Sequence, residues 1–310
     1  MKILDLLSAD LKLVPLYVFV FVGFLAGKLK VEGRSIVIIL IFLITPIAFF
    51  NIGINTAVKT HYIILPFLSF FLSVTLCLSY LFISRKIWDD KIRNLAAFSA
   101  GSGNSFSFGL PIIITFFNRE VVGVYTLTAM GIFAYEYTVG AYIMIRSNYD
   151  IKQSLKRVLK LPMMHTFALG LILHKLGIQI PANMKSFFDN AQGCYVALGL
   201  ITIGISLSNL SSSKIDWKFV WIVLSAKFII SPLIISILVF LDLTYWHFYP
   251  KEINYAMLVL AFMPPSINTV ISATMNNNSY EHAAVSVMIG VVIAMVIIPF
   301  LLFFVLQAHF

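Results

Sequence analysis

The chain has 310 residues, of which 60% are hydrophobic and only 11% are charged, and its mean hydropathy is +0.95. A soluble domain of this size cannot bury so much apolar surface, so the composition excludes a soluble enzyme and indicates an integral membrane protein. The net charge of +9 is distributed singly over short loops. That distribution favours loops beside a lipid bilayer over a nucleic-acid-binding surface, and no nucleic-acid partner is expected.

Ten apolar segments follow one another, each about as long as a helix that crosses the ~30 Å hydrocarbon core. They do not alternate with a period of two, so a β-barrel is not predicted. The predicted segments are 12–28, 34–56, 62–84, 94–117, 121–145, 159–179, 187–208, 217–241, 252–275 and 281–307. No connection is long enough for a soluble domain.

The second half of the chain repeats the first. A shift of 154 residues carries the start of the second segment from 34 to 188 and that of the third from 62 to 216, beside the predicted starts of the seventh and eighth. The same shift carries Pro111 onto Pro265. Because each repeat has five helices, an odd number, the second repeat must be inserted upside down, as is typical of secondary transporters.

The predicted fold is therefore an all-α integral membrane protein of ten transmembrane helices in two inverted five-helix repeats. The first repeat is 1–145, a cytoplasmic connecting loop is 146–158, and the second repeat is 159–310. Alternate loops carry fourteen Lys and Arg residues on one side and seven on the other, with Lys227 inside a helix. The positive-inside rule makes the first side cytoplasmic and places both termini outside a cell membrane, inner or plasma.

The fourth segment contains the strongest local signal, a run of glycines followed by Pro111 in SAGSGNSFSFGLP. Proline removes a backbone donor and glycine lets the chain leave the helix. In hydrocarbon the freed groups are tolerated only where protein or water satisfies them, so we predict a broken helix that lines a cavity. A proline kink with packing glycines is the alternative.

The ninth segment has a matching break at Pro264 and Pro265. Paired broken helices indicate a binding site near the bilayer midplane, and the N-termini of half-helices suit an anionic substrate. Asn104 and Asn268 flank the two breaks and can hydrogen-bond a ligand, or they can act only as helix caps. The predicted substrate-binding residues are Asn104, Ser105, Pro111, Pro264, Pro265 and Asn268.

Two charged residues, Glu136 and Lys227, fall deep within predicted helices. Ionisable groups inside a membrane are costly and usually face a cavity or a partner. Glu136 is a candidate carrier of a proton or ligand of a cation, Lys227 could attract an anion, and Ser102 is a further candidate for the coupling ion. A structural ion pair between Glu136 and Lys227 is the alternative.

No phosphate-binding loop, dinucleotide fingerprint or metalloprotease motif occurs in the sequence, so we predict neither an enzyme nor a bound cofactor or metal. Transport would then depend on an ion gradient, with H⁺ or Na⁺ as coupling ion. The expected partners are a small organic anion and the lipid bilayer, and a homodimer is left open.

The order of these motifs resembles the auxin efflux carrier family. Gly103-Asn104 followed by Phe108-Gly109-Leu110-Pro111 is similar to its fourth-helix pattern, and Met263-Pro264-Pro265-Ser266-Ile267-Asn268 is similar to its ninth. The resemblance covers essentially the whole chain. The third segment has no acidic residue, although some plant members carry a proton-linked carboxylate there, and this departure adds interest to Glu136.

The resemblance implies a crossover fold shared with bile acid sodium symporters and sodium/proton antiporters. Helices one, two, six and seven would form one domain, and helices three to five and eight to ten would form the crossover domain. It also implies transport of mono- or dicarboxylates, such as indole-3-acetate, malonate or malate, with Asn104 in contact with the substrate and Pro111 and Pro264 at the crossover.

Three other functions stay open at this point. One is a sodium-coupled symporter of bulkier, bile-acid-like organic anions, which cation dependence and substrate competition would distinguish. Another is a membrane sensor or channel on the same fold, which large unitary currents would indicate. The last is a membrane-embedded enzyme, against which the lack of a paired nucleophile and base argues.

Overall fold

The computed structural model describes residues 2–57, 59–145, 162–208, 216–275 and 280–307, and no strand occurs within these ranges. The helices before residue 146 are α1 (Lys2–Lys28), α2 (Gly33–Ile39), α3 (Thr45–Ile54), α4 (Ile64–Ile83), α5 (Asp90–Gly101), α6 (Leu110–Phe116), α7 (Arg119–Tyr135) and α8 (Ala141–Ile145). The helices after residue 161 are α9 (Pro162–Lys175), α10 (Ala182–Ser208), α11 (Trp217–Ser225), α12 (Ser231–Leu241), α13 (Lys251–Ala261), α14 (Asn268–Met275) and α15 (Tyr280–Gln307).

Five π-helical turns begin, end or interrupt the helices, and three of them join two helices end to end. These turns are Leu40–Ile44, Ser105–Gly109, Glu136–Gly140, Ala226–Ile230 and Asp242–Trp246. Three of them are followed at the second position of the next helix by a proline, namely Pro46, Pro111 and Pro232. Because the proline ring clashes with the carbonyl four residues earlier and cannot donate to it, the turn before it widens.

Each of the ten predicted segments coincides with a helix or a pair of helices. The largest difference in a boundary is at α1, which begins at Lys2 rather than at residue 12. Four helical stretches, Ser35–Ile54, Thr60–Lys86, Trp217–Trp246 and Glu281–Phe303, are long and apolar enough to cross a membrane. The ten crossings, the inverted repeat and the orientation of the termini stay predictions, and the predicted loop 146–158 lies outside the described residues.

The first of two compact units contains Met1–Tyr62, Phe106–Thr126 and Leu159–Leu210. Within it α1 packs along α10, where Gly23 touches the Ile201 carbonyl and Gly204 touches the Val20 carbonyl. These backbones meet because glycine has no Cβ to hold them apart, which is how membrane helices gain dispersion contacts where no hydrophobic force joins them. The buried ring of Phe49 fills the core beside Phe167, at 6.3 Å between ring centroids.

The second unit contains Ile63–Ser105, Leu127–Val158 and Ser211–Phe310. Its core includes the fully buried Leu95, Phe98 and Phe219, and α4 packs against α5. The Trp88 indole donates to Asp216 at 3.0 Å, and the Asp216 carboxylate also accepts from two backbone N–H groups at the start of α11. We call the two bodies unit 1 and unit 2.

Each unit takes segments from both halves of the chain, so the units are not the predicted repeats 1–145 and 159–310. Unit 1 contains the helices that correspond to the first, second, sixth and seventh predicted segments, as the family resemblance implies. It also contains residues 106–126, which are the later part of the fourth segment and the start of the fifth. The unit boundary therefore falls within these two segments rather than between them.

Candidate functional site

The first helix break lies at Ser102–Asn104, between the end of α5 at Gly101 and the π turn that begins at Ser105. A Cβ on Gly101 would collide with the carbonyl of Ser73 and the ring of Tyr135, so only glycine allows α5 to end so close to α4. The sequence predicted a break in this segment but did not predict which residues form it. Pro111, predicted to mark it, lies inside the helix that follows and belongs to unit 1.

The second helix break lies at Met263–Ser266, between α13 and α14. Pro264 and Pro265 lack an N–H, so an uninterrupted helix would lose two backbone bonds here. The Pro264 carbonyl accepts a hydrogen bond from the Asn104 backbone N–H at 2.8 Å. The two breaks therefore satisfy each other's exposed backbone, which buried peptide groups in a membrane require.

A buried hydroxyl cluster fixes the two breaks together. Ser102 Oγ donates to the Ser99 carbonyl at 3.0 Å, accepts from the Ser266 N–H at 3.2 Å and lies 3.1 Å from Thr269 Oγ1. A serine hydroxyl has one donor and two lone pairs, so these three contacts use all of them. A coupling ion at Ser102, which stays a prediction, would have to displace one of these partners.

Glu136 lies at the junction of the two breaks and is 4% exposed. Its carboxylate accepts from the Gly103 N–H at 3.1 Å, from Asn268 Nδ2 at 2.6 Å and from Ser266 Oγ at 3.4 Å. Three donors from two different breaks therefore converge on one carboxylate. Asn268, predicted to bind substrate, thus has its amide nitrogen committed to Glu136 in this conformation.

Lys227 is 5% exposed and lies beside the first break. Its Nζ would be 3.6 Å from a Cβ placed on Gly103, the residue whose N–H binds Glu136. Among the described residues Lys227 forms no ion pair with Glu136 and no hydrogen bond. The direct structural ion pair considered from the sequence is therefore not formed in this conformation, and the two charges flank the backbone of Gly103.

Both charged residues lie in π-helical turns, Glu136 at the start of Glu136–Gly140 and Lys227 within Ala226–Ile230. A π turn adds one residue to a helical turn and so redirects a side chain, and such turns are frequent at functional sites. For Lys227 the sequence offers a cause, since Pro232 follows the turn. Nothing in the sequence indicated the turn at Glu136.

The Asn104 side chain differs from that of Asn268. Asn104 is 4% exposed, and within the part of the chain that the structure describes its amide makes no hydrogen bond. Ser105, the next residue, is buried and begins the second half of the broken helix. A buried amide without a protein partner can accept or donate to a ligand, so Asn104 stays a candidate contact for substrate.

The sequence interpretation missed three members of this cluster. Ser266 and Thr269 flank Asn268 in the run Ser266-Ile267-Asn268-Thr269, and hydroxyl residues after two prolines were a signal that could have been used. Gly103 contributes through its backbone N–H, which no residue type reveals. Pro265 is buried and packs against Gly290 of α15, where a Cβ would lie 2.8 Å from Pro265 Cδ, and its contact with substrate stays a prediction.

Residues 163–309 match the sequence model of the SBF-like CPA transporter family. This region is just under half of the chain and includes Lys227 and the second break, but neither Glu136 nor the first break. No curated protein matches the chain. The match indicates a membrane transporter, and the auxin efflux carrier family is not shown.

Proposed function

We propose that this chain is a secondary active transporter that moves a small organic anion by alternating access. We propose an elevator-type mechanism, in which the part of the chain that contains the two helix breaks would move and carry the substrate. The observation that supports it most strongly is the hydrogen bond between Asn104 N–H and the Pro264 carbonyl, which joins the breaks beside the buried Glu136 and Lys227. The family match agrees with transport in general.

Two groups near the first break would recognise the anion. The Lys227 ammonium supplies a buried positive charge beside Gly103, and the Asn104 amide supplies a buried donor. A carboxylate bound between them would gain a charge-assisted hydrogen bond and would neutralise the positive charge of the Lys227 ammonium. An isolated ammonium in low dielectric is costly, so the substrate would also stabilise the site that binds it.

Glu136 would couple transport to a cation. An ionised carboxylate accepts from Gly103, Asn268 and Ser266 at once, whereas a protonated one has a hydroxyl that would oppose one of these donors. Proton binding would therefore break at least one of these contacts or reverse its direction. A sodium ion on the carboxylate oxygens would compete with the same donors, so either ion would alter the junction of the breaks.

A sodium-coupled symporter of bulkier organic anions is the second candidate, because the family match is to bile acid/sodium symporter-like proteins. The three hydroxyls at Ser102, Ser266 and Thr269 are oxygen ligands of the kind that bind hard cations. Sodium dependence at constant pH would favour this candidate. A channel or sensor would be distinguished by flux that neither saturates nor accelerates with substrate on the opposite side.

The test is uptake of labelled mono- and dicarboxylates into proteoliposomes under separate proton and sodium gradients. For the proton-coupled mechanism we expect saturable uptake that depends on pH, and Glu136→Gln should retain substrate binding but lose that dependence. The control is Glu252→Gln, a carboxylate at the start of α13. A stable Glu136→Gln variant with an unchanged pH profile and an unchanged sodium response would exclude Glu136 as the coupling residue.

A further inference from the structure

A polar cavity of about 540 Å³ lies within unit 1, and none of the described residues that line it belongs to the cluster around Glu136. Its wall includes Arg119, Lys185, His174 and Gln179 together with the apolar Ile178 and Ile180. Its wall carries two basic side chains and an imidazole, and none of the described residues that line it is acidic. A second cavity of about 310 Å³ shares Arg119 with it.

Arg119 is held in a defined orientation at this cavity. Its Nη1 donates to Asn55 Oδ1 at 3.1 Å, and its Nη2 contacts Asp189 Oδ1 at 3.4 Å. Asn55 is fixed in turn, because its Nδ2 donates to the Asn51 carbonyl at 2.7 Å. A guanidinium has five N–H donors, so these contacts leave three for a ligand in a geometry that suits a carboxylate.

Two further groups complement Arg119. His174 Nδ1 lies 2.8 Å from the Ile54 carbonyl, and since a carbonyl only accepts, Nδ1 carries the hydrogen. In the neutral imidazole Nε2 is then an acceptor, which suits a hydroxyl group of a ligand rather than its carboxylate. Lys185 is exposed in the first turn of α10, and within the described ranges it makes no ion pair. The cavity thus combines a guanidinium, an ammonium and an imidazole with a short apolar wall.

We propose that this cavity is a binding site for a small organic carboxylate, with Arg119 as its anchor. The anion would accept from the free guanidinium donors, with Lys185 as a second charge, and its carbon skeleton would contact Ile178 and Ile180. Asp189 tunes the site because it occupies one donor of Arg119 and reduces the positive charge. The proposal rests on unit 1 alone and does not depend on the transport mechanism proposed above.

The test measures protection of a single thiol by succinate in the purified full chain. Gln179→Cys places the thiol in the cavity wall, and Ser186→Cys on α10 is an exposed control that does not line the cavity. Cys194 is replaced by alanine, and Cys77 is buried. N-ethylmaleimide is the reagent because it is neutral and anions do not repel it.

We expect succinate to slow labelling at Gln179→Cys at least fivefold, and the neutral succinamide or an equal ionic strength of chloride to have no effect. Arg119→Gln should raise the half-protecting succinate concentration tenfold or more, and Lys185→Gln at least threefold. Asp189→Asn should lower it, because it releases a donor of Arg119. Gly103→Ala, which places a methyl group beside Lys227 in the proposed transport site, should leave it unchanged, and this separates the two sites.

Three outcomes would overturn the proposal. They are equal protection at Ser186→Cys, protection by succinamide, and protection that persists in both Arg119→Gln and Lys185→Gln. Weaker protection by succinate in Asp189→Asn would also contradict the proposal. That result is expected if Asp189 only holds Arg119 in place, because its removal would then impair the site. If Arg119→Gln does not fold, Lys185→Gln and Asp189→Asn decide the question, because their expected effects have opposite signs.

Discussion

The contacts inside unit 1 differ from the contacts inside unit 2. In unit 1, long helices cross at glycines whose missing Cβ lets backbones touch, as at Gly23 against Ile201 and Gly53 against the Phe167 carbonyl. In unit 2, helices are interrupted, and polar groups of Ser102, Glu136 and Asn268 join the ends across the breaks. Unit 2 also has close backbone approaches, as at Gly101 against Ser73, but its helix breaks are joined by buried hydrogen bonds.

This difference bears on what each unit can do. Close packing of helix backbones tolerates almost no change of shape, because a displaced backbone loses many dispersion contacts at once. Hydrogen bonds between a carboxylate and three donors can be exchanged one at a time when an ion or a proton arrives. We therefore expect unit 1 to be intolerant of added volume and unit 2 to be sensitive to removed polar groups.

The largest effect is expected at Gly204 in α10. Gly204→Ala places a methyl group against the Val20 carbonyl and the Phe24 N–H of α1, which are backbone atoms that cannot rotate away. We expect a loss of about 3 kcal/mol in the free energy of unfolding or failure to fold, measured by SDS titration. Gly193→Ala on the same helix is the control, because a Cβ there meets nothing within 4 Å.

The control should behave in the opposite direction. Alanine favours a helix over glycine by up to about 1 kcal/mol, so Gly193→Ala should be neutral or slightly stabilising. If both alanine variants had the same stability, close backbone packing would not be what holds α1 to α10. The contrast between the two units would then lose its basis in unit 1.

A smaller effect is expected at Ser102 in unit 2. Ser102→Ala removes a hydroxyl that serves the Ser266 N–H and Thr269, and it leaves both groups buried without that partner. We expect a loss of about 2 kcal/mol by the same titration. Ser286→Ala is the matched control, since Ser286 is also fully buried but its Oγ bonds only the His282 carbonyl of its own helix.

Ser286→Ala should lower the free energy of unfolding less than Ser102→Ala does. The His282 carbonyl belongs to the same helix and keeps its backbone position when the hydroxyl is removed. Equal losses at Ser102 and Ser286 would mean that the polar contacts across the breaks contribute no more than a local serine bond does. The proposed exchange of partners at the breaks would then have little energetic basis.

Much of this architecture could be predicted because hydropathy and backbone chemistry are local properties. Ten apolar runs become helices, and glycine and proline runs near residues 103 and 264 become breaks. The equivalence of Pro111 with Pro265 was misleading. The breaks lie at 102–104 and 263–266, so they correspond by a shift of 161 to 162 residues (263 − 102 and 266 − 104) rather than 154.

The composition of the cluster could not be predicted for a different reason. Glu136 was found because an intramembrane carboxylate stands out in any apolar run, but its partners come from a backbone N–H and from residues about 130 positions away. Likewise, Arg119 was counted only as a loop charge, since its contact with Asn55 spans 64 residues. Such contacts depend on tertiary placement and leave no periodic trace in the sequence.

The smallest change in stability, and the sharpest functional test, is expected at Gly103. Gly101 and Gly103 are only two residues apart, yet a Cβ would collide with backbone at Gly101 and would make only ordinary van der Waals contacts at Gly103. The closest atoms to a Cβ on Gly103 are Ser105 Oγ at 3.4 Å and Lys227 Nζ at 3.6 Å, both at the ends of side chains. The φ angle of Gly103 also lies outside the left-handed region, so alanine is not strained there.

Gly103→Ala should therefore fold with a change below about 1 kcal/mol, whereas Gly101→Ala should be strongly destabilised. The new methyl group would nevertheless occupy the space beside the Lys227 ammonium, where the proposed anion binds. We expect the KM for anion uptake to rise roughly tenfold, which corresponds to about 1.4 kcal/mol of lost binding. A Gly103→Ala protein with normal stability and an unchanged KM would show that no ligand uses that space, and the anion site would have to be sought away from Lys227.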